Sequence, residues 1–318
     1  MSETLASLRL KIDRANDLQS VVRTMKALAA LNIGQYEKSV SALSDYYRTV
    51  ELGLSTCFRE IGTSVAPSKQ KKKMSTGTVG AVVFGSDQGL VGQFNDIITD
   101  YAVKKLAALT GKVQVWGVGE RVYSRLADAG LPLIGLFAVP NSVKAITPLI
   151  GQILLESEKL RSQDEDAELY LFYNRHKTRI TYEPVSQRLL PLDETWQSDL
   201  AKLSWPTKNL PEVIGDSEET TRAIISEYLF VSLFRACAES LASENSSRLA
   251  AMQRADKNIE ELLENLNGEF YRVRQSGIDE ELFEVISGFE ALSKSRSSDH
   301  RKGNMTGHKL WIKREADK

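Results

Sequence analysis

The chain has 318 residues, enough for a sizeable hydrophobic core and for two structural units. Its formal net charge of −1 at pH 7 argues against general nucleic-acid binding, because no excess of positive charge is present to neutralise phosphates. Its apolar runs fall well short of the roughly twenty residues that span a bilayer. Arg9, Lys11 and Asp13 interrupt any segment resembling a signal peptide, so we expect a soluble intracellular chain.

The first predicted element is an N-terminal coiled-coil helix over residues 1–62. From residue 2 onward, apolar residues recur mostly at spacings of three and four, the seam pattern of a coiled coil. This seam includes Leu5, Leu8, Ile12, Ala15, Leu18, Val22, Met25, Ala29, Tyr36, Val40, Leu43, Tyr47, Val50, Leu54, Phe58 and Ile61. At 1.5 Å per residue, about sixty residues make a rod of roughly 90 Å. Such a helix needs a partner along much of its length.

A linker is predicted over residues 63–77, which contain Pro67 and the run Lys71–Lys73. A central α/β domain follows over residues 78–190. Its predicted strands are Thr78–Gly85, Lys112–Gly119, Leu133–Val139, Ala167–Asn174 and Arg179–Leu190. Its predicted helices are Asp96–Leu109, Glu120–Ala129 and Ser142–Leu160. This alternation predicts a Rossmann-like, mostly parallel sheet covered on both faces.

Residues 191–217 form a second predicted linker, marked by Pro191, Pro206, Pro211 and Gly215. A second coiled-coil helix is then predicted over residues 218–292. Its seam residues are Ile224, Tyr228, Val231, Phe234, Ala238, Leu241, Met252, Ile259, Leu262, Leu266, Phe270, Val273, Ile278, Leu282, Val285 and Phe289. The spacing matches that of the first helix, so each helix needs the other or a partner protein, and we expect the two to pair. Residues 293–318 are expected to form a disordered basic tail.

A glycine-rich segment follows the first strand of the central domain. Its structural residues are Gly85, Asp87, Gly89, Gly92 and Asn95. A dinucleotide enzyme would bind a pyrophosphate at such a turn, but the spacing is not GxGxxG and no Gly-Lys-Ser/Thr follows. We therefore interpret the segment as a tight turn from strand to helix, without a bound cofactor.

Residues for catalysis or metal binding are sparse. His176, His300 and His308 occur singly, without metal-ligand spacing or a nucleophile beside them. We expect no catalytic, cofactor-binding or metal-binding residue. Cys57 and Cys237 lack CxxC spacing and are interpreted as reduced core thiols, with a disulfide between the long helices as the alternative.

Four blocks make this sequence resemble one family, the gamma subunit of the F-type ATP synthase. The first combines Leu8–Ile12 with Val22–Ala30, which resemble the family's opening helix, and the second is Ser86–Asn95, similar to the family's Ser-Asp-Arg-Gly-Leu-Cys-Gly-Gly-Leu-Asn. The third and fourth, Leu241–Met252 and Arg274–Gly288, resemble the closing helix and are the most specific. The resemblance extends from the first residues to about Leu292.

The resemblance implies a central-stalk rotor, whose terminal helices form a long antiparallel coiled coil inside a ring of alpha and beta subunits. It implies further contacts with the epsilon subunit and the membrane c-ring, with no catalytic residue, cofactor or nucleic acid. The complex would lie peripherally on the cytoplasmic face of the bacterial inner membrane. Ion flow, of protons or sodium, would turn this subunit and drive ATP synthesis, or hydrolysis in the reverse direction.

By positional match, seven residues would couple this rotor to the surrounding ring. On the first helix, the resemblance implies that Arg23, Met25 and Lys26 face a loop of the beta subunit. On the closing helix, it implies polar coupling contacts for Arg248, Arg274, Gln275 and Glu284. Met25 also fits the coiled-coil seam, so packing and coupling are compatible at that position.

The sequence departs from the family pattern at Gln88, Val91, Gln93 and Asp279, and the regulatory cysteine pair of chloroplast relatives is absent. Together with the extra tail, these departures suggest a specialised variant. We hypothesise that the tail emerges at the far end of the ring or lines its channel. Two other classes stay open, a nucleotide-cofactor-binding α/β protein and a homodimeric coiled-coil tether. The first predicts cofactor binding that depends on Gly89 or Gly92, and the second predicts a stable homodimer.

Overall fold

A computed structural model describes residues 4–62, 77–164, 167–178, 181–192, 196, 200, 202–209 and 211–315. The helices are α1 (Leu5–Gly62), α2 (Phe94–Leu106), α3 (Glu120–Asp128), α4 (Ile146–Gln163) and α5 (Ser217–Glu315), with a short 3-10 helix (Val143–Ala145) before α4. The strands are β1 (Thr78–Phe84), β2 (Lys112–Val118), β3 (Leu133–Phe137), β4 (Glu168–Thr178) and β5 (Thr181–Leu190). Residues 63–76 of the first predicted linker and part of the second lie outside the described residues.

The chain divides into two compact units, and α1 and α5 each contribute residues to both. The larger unit comprises Val22–Ala255, and the smaller comprises Met1–Val21 with Asp256–Lys318. The whole β-sheet and helices α2 to α4 belong to the larger unit. The larger unit is therefore one continuous stretch of sequence, whereas the smaller unit combines the two ends of the chain.

The five strands form one sheet in the order β3-β2-β1-β4-β5. The first four are mutually parallel, while β5 runs antiparallel to β4 and forms the edge. The prediction of a mostly parallel sheet is thus confirmed. The edge is antiparallel because two residues separate β4 from β5, whereas a parallel pairing needs a crossover of a dozen or more residues.

Alternate residues of the central strand pack against opposite faces of the sheet. Val82 and Phe84 of β1 belong to a core that also contains residues of α1, α4 and α5. Ala81 and Val83 belong to a second core with residues of α2 and α3. The near-continuous apolar composition of β1 follows from this burial on both faces.

In the larger unit, α1 and α5 pack as an antiparallel pair. Asn32 Nδ2 donates a hydrogen bond to Asn245 Oδ1 over 3.4 Å. Farther along α1, the rings of Tyr47 and Tyr228 are centred 5.8 Å apart. Because residue numbers fall on α5 as they rise on α1, the helices run in opposite directions. The pairing of the two predicted coiled-coil helices is therefore confirmed.

In the smaller unit, the start of α1 also lies beside α5. Leu5 and Arg9 line one cleft together with Phe270 and Arg274. Leu8 is fully buried and belongs to the predicted seam.

The predicted seam on α5 extends farther than its cover by α1. Ile278, Leu282, Val285 and Phe289 are exposed rather than packed. The reason is that the described part of α1 begins near Leu5, at the level of residues 270–274 of α5. No residue of α1 remains in the described chain to cover the next four turns.

The segment expected to be a disordered tail continues helix α5. Its backbone is helical up to Glu315. All eight prolines of the chain precede Ser217, so no proline interrupts residues 217–315. The basic composition of residues 293–318 predicts disorder, but helix formation depends on backbone hydrogen bonds that polar residues also permit.

Candidate functional site

The glycine-rich loop begins where β1 ends, and its first glycine lies in a crowded position. A Cβ atom on Gly85 would lie 2.2 Å from Cβ of Val122 on α3 and 2.8 Å from Oδ1 of Asn95. The amide of Gly85 donates to the carbonyl of Val118 at the end of β2 over 2.9 Å. A glycine is required there because the loop passes directly against α3.

Polar side chains then hold the loop in place. Asn95 Oδ1 accepts from the amide of Ser86 over 3.0 Å, and its Nδ2 donates to Ser86 Oγ over 2.8 Å. Asp87 accepts from the amides of Glu120 and Val139, each over 3.0 Å. The carboxylate of Asp87 therefore lies at the N-terminus of α3, where the partial positive charge of the helix favours an anion.

The far side of the loop contacts α5. The hydroxyl of Ser247 donates a short hydrogen bond to the carbonyl of Val91. Gly92 has a φ of +56°, and a Cβ atom there would lie 3.6 Å from both Ser247 Oγ and Nη2 of Arg254. Gly89 is less restricted, since its nearest neighbour is Nη2 of Arg121 at 3.9 Å. The loop thus joins the sheet to the long helix.

The part of α5 beneath this loop is polar and buried. We call Glu239–Arg248 the polar segment. Its buried polar residues are Glu239, Ser240, Ser243, Glu244, Asn245, Ser246 and Ser247. Ser243 Oγ donates to the carbonyl of Asn174 on β4 over 2.8 Å, so the segment is bonded to the sheet as well as to the loop.

An ion pair lies within the polar segment. Arg248 Nη2 is 2.6 Å from Glu244 Oε1, and both side chains are largely buried. Burial raises the pKa of the Glu244 carboxyl, while Arg248 acts in the opposite direction. Within the described chain, Glu244 Oε2 and Arg248 Nε have no hydrogen-bond partner. The pair is therefore buried at a considerable desolvation cost.

Four of the seven predicted coupling residues lie in the larger unit. Arg23 is exposed, whereas Met25 and Lys26 are half-buried. Arg248 forms the internal pair with Glu244, so its charge is directed toward α5 itself. An i,i+4 carboxylate partner was visible in the sequence at Glu244, but only the fold shows that both side chains are buried.

The other three coupling residues, Arg274, Gln275 and Glu284, are exposed on α5 in the smaller unit. Around them lies an apolar surface that we call the apolar segment, residues 278–289. Its exposed apolar residues are Ile278, Leu282, Phe283, Val285, Ile286 and Phe289. Phe283 and Phe289 are 73% and 74% exposed, more than a folded chain in water ordinarily leaves uncovered.

The described residues contain no cluster of His, Cys, Asp or Glu suited to a metal ion. Within the same residues, no helix is both long and apolar enough to cross a bilayer. Cys57 and Cys237 are buried free thiols, and burial raises the pKa of Cys237. The interpretation as core thiols is confirmed, and the alternative of a disulfide is wrong.

The chain is similar to proteins of one family over most of its length. A family model described as ATP synthase matches residues 4–292. The ATP synthase gamma chain of Nautilia profundicola is 24% identical over 305 residues, covering 92% of this chain and 99% of the relative. The ATP synthase gamma chain of Sorangium cellulosum is 28% identical over 324 residues, covering 92% of this chain and 99% of the relative.

Solved structures of low sequence identity have the same fold. One is from the Euglena gracilis mitochondrial ATP synthase, in an assembly of OSCP, F1 and c-ring, with a TM-score of 0.61 at 13% identity over 92% of this chain and 95% of that one. Another is from the central stalk and c-ring of the Tetrahymena thermophila enzyme, with a TM-score of 0.52 at 21% identity over 74% of this chain and 99% of that one.

Proposed function

This chain belongs to the gamma-subunit family of ATP synthases, and we propose that it acts as the central-stalk rotor of such an enzyme. The observation that carries the proposal is the pairing of the two ends of the chain, α1 with α5, with the whole α/β domain inserted between them in sequence. An antiparallel helix pair resists twisting better than a single helix, because each helix restrains the other through buried side chains.

The rotor would work by presenting different surfaces to the surrounding subunits as it turns. Each alpha and beta subunit pair would then be biased toward a different conformation, which is a population shift driven by mechanical contact. In this scheme the chain supplies no catalytic residue, and ATP chemistry occurs in its partners. Those partners are the alpha and beta subunits, the epsilon subunit and the c-ring.

The apolar segment supports this role because its side chains need cover that the described chain does not provide. We propose that the alpha and beta subunits surround it. Arg274, Gln275 and Glu284 would supply polar contacts at the same level. On α1, Arg23, Met25 and Lys26 would face a loop of the beta subunit. Charged contacts of this kind fix the register between two proteins more than they add affinity.

The glycine-rich loop argues against the alternative of a nucleotide-cofactor-binding protein. In a dinucleotide site, a helix N-terminus beside such a loop binds the pyrophosphate. Here the carboxylate of Asp87 bonds to the amide of Glu120, at the start of α3. A negatively charged ligand at that position would be repelled.

We also propose a role for residues 293–318, which follow the part of the chain that the family model matches. They would emerge at the far end of the ring or line its channel. Removing them should alter assembly or the ATPase rate of the purified complex. Unchanged assembly and an unchanged rate would contradict this role.

We further propose that the complex is ion-translocating, driven by protons or sodium, and lies on the cytoplasmic face of a bacterial inner membrane. The test is to tag the chain in its native host, solubilise the membrane fraction and identify the co-purified subunits. We expect alpha, beta, epsilon and c subunits, with the untagged strain as control. A homodimer, or a chain isolated with a tightly bound nucleotide and no other subunit, would contradict the proposal. Proton or sodium dependence of the purified complex then identifies the ion.

A further inference from the structure

A polar cavity lies between the helix pair and the edge of the sheet in the larger unit, and none of its lining residues is a predicted coupling residue. We call it the arginine cavity. The lining residues relevant to binding are Tyr47, Tyr173, Arg175, Gln187, Ser232 and Arg235. They come from α1, β4, β5 and α5, so the complete fold of this unit is needed to assemble it.

Two guanidinium groups share one carboxylate at this cavity. Arg175 Nε lies 3.2 Å from Glu239 Oε2, and Arg235 Nε lies 2.8 Å from Glu239 Oε1. Glu239 is buried, whereas both arginines are more than two-fifths exposed. Each arginine therefore contacts the carboxylate through its Nε.

Among the lining residues, Arg175 and Arg235 are positively charged and none is negatively charged. Glu239 is paired with both arginines, and Glu51 of α1 interacts electrostatically with Arg235 and with Arg48 of its own helix. These two carboxylates lie near the arginines but are not among the described residues that line the cavity. One contact already made by the terminal nitrogens is a hydrogen bond of 2.9 Å from Arg175 Nη2 to the hydroxyl of Tyr173.

A buried hydroxyl of the lining also points to a ligand. Ser232 is only 2% exposed, and its Oγ makes no hydrogen bond of ordinary geometry within the part of the chain that the structure describes. Its interaction with the Tyr47 hydroxyl has hydrogen-bond character but falls outside ordinary hydrogen-bond geometry. An acceptor oxygen in the cavity would give this buried hydroxyl a hydrogen-bond partner of better geometry.

The size of the cavity limits what it can hold. Its volume is about 260 Å³, below the roughly 300–1,000 Å³ of pockets that hold drug-sized molecules. Guanidinium groups bind the oxygens of phosphate and carboxylate groups in a fork, and hydroxyl donors complete such sites. We propose that the arginine cavity binds a small tetrahedral oxyanion of the phosphate type, held by Arg175, Arg235 and Ser232. This site is independent of the proposed rotor function.

The test is calorimetric titration of the full-length chain with inorganic phosphate, at an ionic strength held constant with chloride. We expect saturable binding, which Arg175→Gln and Ser232→Ala each weaken, the former by about tenfold or more. Arg235→Lys should also weaken it although the charge is kept, because lysine lacks the planar fork. Arg222→Gln is the matched control, since Arg222 is exposed on α5 and paired with Glu218.

Several results would overturn the proposal. The first is an absence of saturation with the unaltered chain. The second is an affinity of Arg175→Gln and Ser232→Ala for phosphate that equals that of the unaltered chain. The third is a loss of affinity in the Arg222→Gln control as large as that in Arg175→Gln. Titration with ADP distinguishes free phosphate from a nucleotide, and tighter binding of ADP would also overturn it. Circular dichroism of each variant shows whether a loss of binding results from a loss of folding. If the arginine variants unfold, Ser232→Ala still tests the site, because it removes only one oxygen atom. None of these results alters the subunits expected in the pull-down.

Discussion

The polar segment of α5 buries polar side chains, whereas the apolar segment of the same helix exposes apolar side chains. In the polar segment, Glu239, Ser243 and Glu244 are buried among hydrogen-bonding neighbours. In the apolar segment, Phe283 and Phe289 are exposed. Both segments have a helical pattern in the sequence, so periodicity does not distinguish them. The difference lies in what surrounds the helix at each level.

This contrast indicates how one helix serves two purposes. Buried polar groups define a single way for α5 to pack on the sheet and the loop, because each misplaced group would lose its partner. Exposed apolar groups contribute little to the stability of the chain itself, but they are available to a partner protein. We therefore expect substitutions in the first segment to affect folding and those in the second to affect assembly.

The largest effect is expected from Arg248→Ala, which leaves Glu244 buried without its cation. Breaking a buried ion pair by removing one partner costs about 3–5 kcal/mol of folding stability. The measurement is the free energy of unfolding of the full chain in urea. Arg222→Ala breaks an exposed ion pair of the same spacing and should cost about 1 kcal/mol or less. Equal losses would show that burial is not the decisive difference.

A smaller effect is expected from Ser243→Ala, which removes the hydroxyl donor to the carbonyl of Asn174. Loss of one hydrogen bond of this kind costs about 0.5–1.5 kcal/mol, measured by the same urea unfolding. Ser287→Ala is the control, because Ser287 is exposed in the apolar segment and donates a hydrogen bond to the carbonyl of Glu284, one turn earlier on the same helix. A control loss as large as that of Ser243→Ala would remove the distinction between the segments.

The Glu244 carboxyl should make stability depend on pH. Its pKa in the folded chain is raised above the ordinary value of 4.5, so the folded chain binds more protons than the unfolded chain just above that pH. Stability from this group should therefore be greatest below pH 4.5 and fall as the pH rises through the higher folded pKa. Glu244→Gln should flatten this part of the profile in urea unfolding measured across pH. An unchanged slope would contradict the assignment.

The smallest effect on folding is expected from the double substitution Phe283→Ser and Phe289→Ser. Both side chains are exposed, so the free energy of unfolding of the full chain should change by about 0.5 kcal/mol or less. In contrast, co-purification of alpha and beta subunits should fall. Glu281→Ser, an exposed polar change on the same helix, is the control. Unchanged assembly of the double variant would show that the apolar segment is not covered by those subunits.

Much of the fold could be predicted from the sequence because local patterns determine it. The strand predicted from Thr78 to Gly85 ends at Phe84, and the helix predicted from Glu120 to Ala129 ends at Asp128. Such agreement arises because runs of β-branched residues and three-to-four spacings act over a few neighbouring residues. The end of α5 was missed, because polar composition does not by itself terminate a helix.

The sequence alone determined the element types, the need of each long helix for a partner and the resemblance to the gamma-subunit family, since each depends on residue type and spacing. Only the tertiary structure decided which polar residues of α5 are buried, that Arg248 pairs inward with Glu244, and that Arg175 and Arg235 meet at Glu239. It also decided that the seam from Ile278 to Phe289 lacks cover from the described part of α1. The physical reason is that burial is set by residues distant in sequence, and spacing along one helix carries no information about them.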